Sequence, residues 1–360
     1  MNPTSQLHNV GQSLWLDNIT RELLNDGTLQ RYIDELAVTG LTSNPTIFDH
    51  AISASAVYDD QIMRLAADTA EEGIFFALAL EDLGRAAKLF RPIFERTDGV
   101  DGWVSLEVSP LLARDPDTTL RAARDLHARA AQPNLFIKIP GTPEGLPAIE
   151  EAIFAGVPVN VTLLFSVDQY LAASDAYLRG VERRVAAGLN PAIASVASLF
   201  ISRWDVAVKD VAPAELVNTL GVAVGQQTYQ AYRAVLASDR FQRLANAGAR
   251  AQRLLFASTG VKDPAARDTL YVEALAAPFT INTMPEASLK AFGAHGVVDG
   301  VLPSDGGASD KVLQAFAKAG VDVAALGRRL QDEGAASFVA SWTELIDRIR
   351  LKTRAAAAPR

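Results

Sequence analysis

Eight short runs rich in strand-forming residues recur along the chain, separated by stretches of helical length. That alternation is the pattern of βα units, in which helices cover the parallel strands they connect. The runs are 13–17, 37–44, 103–110, 133–140, 157–163, 192–200, 253–258 and 278–283. Eight units predict an α/β fold of the closed (β/α)8 barrel type. An open doubly wound sheet is the alternative, but no GxGxxG follows any of the runs. A barrel core takes about 250 residues, and this chain has 360. The surplus falls in a helical insertion after strand 2, residues 46–97, which ends in the turn Thr97-Asp98-Gly99, and in C-terminal helices over 286–354. In the last helix Phe338, Trp342, Leu345 and Ile349 share one apolar face, which should dock on the barrel, and the helix over 336–350 could close the barrel mouth or carry a dimer contact. Residues 355–360 read as a flexible tail, and the whole chain, 1–360, as one domain.

Several classes of function drop out early. The net charge is −8 and no basic block interrupts it, so neither nucleic acid nor an anionic membrane is an expected partner. No apolar stretch is long enough for a membrane span, and residues 1–10 are polar, which predicts a cytoplasmic protein. There is no cysteine for a disulfide, a thiolate metal site or a thiol nucleophile. His8, His50, His127 and His295 are scattered, and no metal or cofactor is expected.

Side chains alternate across a strand with period two. The third run therefore separates Val104, Leu106 and Val108 from Ser105, Glu107 and Ser109. The fourth separates Leu135, Ile137 and Ile139 from Phe136 and Lys138, and the fifth Val157, Val159 and Val161 from Asn160 and Thr162. In the eighth, Thr280 and Asn282 oppose Phe279 and Ile281. With the apolar sets facing the helices, the polar sets face the barrel axis. Asp17, Asn44, Glu107, Lys138, Thr162, Ser258 and Asn282 also come late in their strands, at the end where such barrels do chemistry.

Lys138 stands out in this set. A lone strand lysine is commonly an edge device against aggregation. Of the 8 lysines, however, only Lys138 is embedded in an apolar strand. A lysine held in such surroundings tends to lose its proton, and a neutral lysine attacks carbonyls. One buried lysine with two carboxylates suits Schiff-base chemistry: an imine acts as electron sink while the carboxylates move protons.

The segments Trp15-Leu16-Asp17, Leu41-Thr42-Ser43-Asn44-Pro45, Val104-Ser105-Leu106-Glu107-Val108, Ile137-Lys138-Ile139-Pro140, Asn160-Val161-Thr162-Leu163-Leu164-Phe165-Ser166 and Ala257-Ser258 carry a further signal in their order. Together they resemble the transaldolase family, in its longer bacterial subgroup. The resemblance implies transfer of a dihydroxyacetone unit from sedoheptulose 7-phosphate to glyceraldehyde 3-phosphate in the pentose phosphate pathway. It implies that Lys138 forms the Schiff base, that Glu107 shuttles protons through a water held with Thr162, and that Asp17 takes the hydroxyl proton during cleavage. Thr42, Asn44, Asn160 and Asn282 would hold the substrate. Its phosphate would lie near Ser198, Phe200 and Arg203, with Ser258 beside it. Many relatives carry a second phosphate-binding arginine two residues after the serine matching Ser258. This chain has Gly260 there, and Lys262 is the expected substitute.

Two competing readings remain at this level. An aldolase of the same family would release dihydroxyacetone, although such relatives tend to carry residues other than Glu107 and Phe200 at those positions. A non-catalytic sugar-phosphate binder would not need a buried lysine. Monomer and homodimer are both compatible with the sequence.

Overall fold

The computed structural model describes residues 2–357, with side chains through Arg354. Eight parallel strands close into one barrel in sequence order, the (β/α)8 or TIM-barrel arrangement. The strands are β1 Ser13–Asp17, β2 Val38–Thr42, β3 Val104–Glu107, β4 Leu135–Pro140, β5 Val159–Leu164, β6 Ser195–Phe200, β7 Gln252–Ala257 and β8 Ile281–Met284. Each lies within one of the eight runs or overlaps it. Strand β1 pairs with both β2 and β8, which completes the closure.

The faces follow the period of two. Leu106, Ile137, Ile139, Val159 and Val161 pack outward into the layer between strands and helices. Inside, the N-terminal end of the barrel is plugged by aromatics. Trp103 stacks on Phe136 with ring centroids 4.0 Å apart, and Trp15 lies 6.2 Å from Phe136. Trp15 donates its indole N–H to Asp101 at 2.8 Å. Gly40 on β2 makes room for that indole, since a Cβ there would stand 2.7 Å from Trp15 Nε1. The buried Arg253 lies at the same end, donating to Ser13 Oγ at 2.7 Å, and the plug leaves the C-terminal half of the barrel for the cleft.

Residues 45–97 divide into two parts. Helices Pro45–Ala54 and Asp59–Leu65 form an addition beside the mouth of the barrel, whereas Glu71–Arg96 packs on β2 and β3 as an ordinary barrel helix. Its length hides this role in the sequence. Asn44 starts the addition: its side chain accepts the Ile47 N–H at 3.0 Å as the helix cap, with Pro45 in the first turn.

The final helix, Val323–Ala357, lies across the C-terminal mouth of the barrel. Gln331, buried, donates to the carbonyls of Gly141 (3.1 Å), just after β4, and Leu163 (2.9 Å), near the end of β5. Trp342 meets Phe75 edge-on at 5.1 Å, and Arg348 reaches Asp49 at 3.3 Å. The helix thus rests on both the barrel and the addition. It continues through Ala357, into the segment expected to be a tail, and residues 358–360 lie outside the described residues. Among the described residues no helix is long and apolar enough to cross a membrane.

Candidate active site

A cleft of about 250 Å³ opens at the C-terminal end of the barrel. Asp17, Thr42, Asn44, Lys138, Thr162, Ser198, Phe200, Arg203, Ser258 and Lys262 all line it. These residues come from six strands or the segments that follow them, Arg203 from the short helix Ser202–Val208 after β6.

Lys138 lies at the floor, 5% exposed. Its Nζ is 2.8 Å from Glu107 Oε1 and donates to the Ser43 carbonyl at 3.0 Å. Register makes the pairing unavoidable, because Glu107 sits opposite Lys138 and Lys138 opposite Asn160. Burial pushes the Glu107 carboxyl above its ordinary range, Lys138 opposes the shift, and Asp17 adds to it. Glu107 Oε2 and Thr162 Oγ1 are both buried without a hydrogen-bond partner among the described residues. Buried polar atoms of this kind are normally satisfied, so the two mark where a water or a substrate hydroxyl would be held.

Asp17 accepts the Thr42 hydroxyl at 2.7 Å. It keeps some solvent contact, yet the surrounding protein raises its pKa, with Lys138, the Thr42 bond and Lys262 acting the other way. Asn160, fully buried, donates to Ser105 Oγ (3.1 Å) and accepts from Ser198 (2.7 Å). Both ends of its amide are thereby fixed one strand away from the lysine.

Toward the mouth the cleft turns cationic. Arg203 stacks its guanidinium over Phe200 at 5.6 Å and has no carboxylate within ion-pair distance among the described residues. Desolvation lowers its pKa, and the Glu333 carboxylate works against that. A half-desolvated guanidinium beside a pocket is well suited to a phosphate, which it can bind with two parallel N–H bonds. Lys262, exposed, lies across the cleft on the loop after β7. Ser258 adopts a left-handed backbone, φ 55°, and its hydroxyl lies 3.0 Å from Ser202 Oγ. At Gly260 a Cβ would already press on Pro285 Cγ at 3.1 Å, so a longer side chain there requires Pro285 to move.

Three expected residues are not in the cleft wall: Glu107 and Asn160 are buried on either side of Lys138, and Asn282 is elsewhere. Asn282 faces the helices, level with Phe256 of β7, and accepts from Thr259 at 2.9 Å. It does not line the cleft. The assumption that fails is that apolar strand residues all face the helices, because a barrel interior is itself a packed core. Ile281 points inward with Leu255 and Val196, which turns Thr283 into the cleft in place of Asn282. Sequence reasoning also missed Ser337 and Phe338 of the final helix, which form part of the cleft wall. Phe338 lies 6.5 Å from Phe200. Its position on an apolar helix face was readable, but the surface it would meet was not.

A profile of the Transaldolase/Fructose-6-phosphate aldolase family matches residues 14–349. The chain belongs to that family. Its relatives include the transaldolase of Thermobifida fusca, 46% identical over 358 residues, with 96% of this chain and 97% of the relative covered. The transaldolase of Saccharopolyspora erythraea is 45% identical over 352 residues, with 96% of each covered. That of Thiobacillus denitrificans is 44% identical over 358, with 97% of this chain and 100% of the relative covered.

Proposed function

We propose that this cleft performs the transaldolase reaction, moving a dihydroxyacetone unit between sugar phosphates through a Schiff base on Lys138. The observation that carries this reading is the buried contact of Lys138 with Glu107, 2.8 Å apart on the cleft floor. A carboxylate at that distance can take the ammonium proton and return it later.

In the first step Lys138 Nζ gives a proton to Glu107 and attacks the ketose carbonyl carbon. The resulting carbinolamine loses water, with Glu107 supplying the proton through the water position between it and Thr162. The cationic imine then draws electrons from the adjacent C–C bond while Asp17 takes the proton of the neighbouring hydroxyl. An aldose phosphate leaves, and the enamine stays bound on Lys138. Asn44 and Asn160 hold its hydroxyls until a second aldose phosphate accepts it and the steps run in reverse. Arg203 and Lys262 bind the phosphate that enters and leaves, and nothing in these steps calls on a metal.

The names of the full-length relatives favour transfer over release, although the family also includes an aldolase. Borohydride reduction in the presence of fructose 6-phosphate, followed by peptide mapping, tests the mechanism. A stable adduct on Lys138 is the expected result, and the absence of any adduct would sink it. A coupled assay giving free dihydroxyacetone as the main product would move the enzyme to the aldolase branch.

A further inference from the structure

Two short hydrogen bonds join three side chains of the cleft. Thr42 Oγ1 donates to Asp17 Oδ1 at 2.7 Å, and Thr42 Oγ1 lies 2.7 Å from Thr283 Oγ1. A hydroxyl has only one hydrogen to give. While Asp17 is ionised it can only accept, so the Thr42 hydrogen is committed to it. Thr283 must then be the donor in the second bond. The direction of both hydrogens is set by the charge at one end of the row.

Thr283 is 2% exposed and lines the cleft together with Asp17 and Lys138. Its neighbour two residues back, Ile281, belongs to the apolar interior. Valine would serve the strand as well as threonine does, so packing alone does not call for the hydroxyl.

We propose that Thr283 is a positioning residue for Asp17, acting through Thr42. By donating to Thr42 it makes that hydroxyl a stronger donor, since successive hydrogen bonds polarise one another. Asp17 Oδ1 is held in place, and the other carboxylate oxygen is left to accept the substrate proton. Once Asp17 is protonated the row can reverse. Asp17 then gives its hydrogen to Thr42, Thr42 gives its own to Thr283, and the Thr283 hydrogen turns into the cleft. The inference rests on the reading of Asp17 as the proton acceptor in C–C cleavage.

The charged groups that face Asp17 are Lys138 from β4, Lys262 from the loop after β7, and Glu107 from β3. Replacing Thr283 alters none of them. In Thr283→Val the ionised form of Asp17 loses part of its stabilisation. The acid limb of the kcat/KM profile, with fructose 6-phosphate and erythrose 4-phosphate, should move up by about half a pH unit, roughly a threefold loss on the acid side. KM at neutral pH should stay within about twofold, and Thr283→Ser should restore the parent profile. A valine profile that superimposes on the parent overturns the proposal, and so does a serine variant that behaves like valine.

A carboxyl-carbon NMR titration of Asp17 in the resting enzyme, parent against Thr283→Ala, decides the point without turnover and covers a poorly folding valine variant. A higher Asp17 midpoint is expected, and an unchanged one overturns the proposal. Borohydride trapping run in parallel keeps the two readings apart. An adduct on Lys138 with an unmoved midpoint defeats only the role of Thr283. A missing adduct defeats the Schiff-base reading, while the titration still decides whether Thr283 controls Asp17.

Discussion

Lys138 Nζ stands 2.8 Å from Glu107 Oε1, with the lysine side chain 7% exposed and the glutamate side chain 9%. Each is the other's nearest opposite charge in a part of the barrel with little water, so removing one exposes the other to the full cost of burial. In Lys138→Met, Glu107 is left to neutralise itself by keeping a proton. Its folded pKa, already raised by burial, then rises further above the unfolded value. Between those two values the folded state holds more protons than the unfolded one, so stability falls as pH rises. We expect the melting temperature of Lys138→Met to drop more at pH 8 than at pH 6 relative to the parent, with turnover abolished at both. A pH-independent difference would show that the pair is not coupled as the geometry indicates.

Asp17 gives the complementary case. Its pKa is raised on folding, mainly by burial, so the ionised carboxylate opposes folding, increasingly so from its unfolded pKa up through its folded one. Asparagine does not titrate. Asp17→Asn should therefore match the parent in melting temperature near pH 4 and exceed it at pH 7 to 8, while kcat falls by at least about a hundredfold. Thermal scans across pH, set beside steady-state kinetics, check both halves.

At the mouth, Arg203 and Lys262 should act on binding more than on chemistry. Charge-assisted hydrogen bonds are worth about 1.5–3 kcal/mol each, so Arg203→Ala should raise KM for sugar phosphates by about ten- to a hundredfold. Lys262 is exposed and solvent screens it, so Lys262→Ala should raise KM by a smaller factor, roughly threefold to tenfold. An unchanged KM in Lys262→Ala would remove that lysine from the phosphate site.

Trp342 anchors the final helix. It is 2% exposed and packs against Phe75 and Phe76. Trp342→Ala should cost about 3–5 kcal/mol and loosen the segment that carries Ser337 and Phe338. Calorimetry should show a clear fall in melting temperature, and KM should rise although Trp342 does not line the cleft. A variant that loses stability but keeps its KM would show that the helix stays seated without this anchor.

Incubation with a chelator should leave activity intact, because the proposed steps run on Lys138, Glu107 and Asp17. Loss of activity that added divalent metal restores would place the enzyme in a different aldolase class.

Strand positions were legible because apolar and polar residues alternate strongly in β3, β4 and β5. Lys138 and Glu107 could be placed from parity alone, and Asp17 from its position at the end of its strand. Strand β8 misled because its alternation is inverted: the inward residue Ile281 is apolar and the outward Asn282 polar, so the pattern pointed to the wrong face. The barrel helix Glu71–Arg96 was hidden by merging with the addition before it. Nothing in residues 323–357 marks them as a cover for the cleft, because an amphipathic stripe states that a face is buried and not against what.

That cover has a consequence for how the protein comes into being. The barrel can close once Met284 has left the ribosome, since β8 is then available to pair with β1. Gln331, Ser337 and Phe338 emerge only later, and until they dock the reaction chamber lacks one wall. A nascent or prematurely terminated chain would thus carry the reactive lysine on a closed barrel yet bind sugar phosphates poorly. The order of synthesis would hold back catalysis until residues 331–338 have emerged and docked.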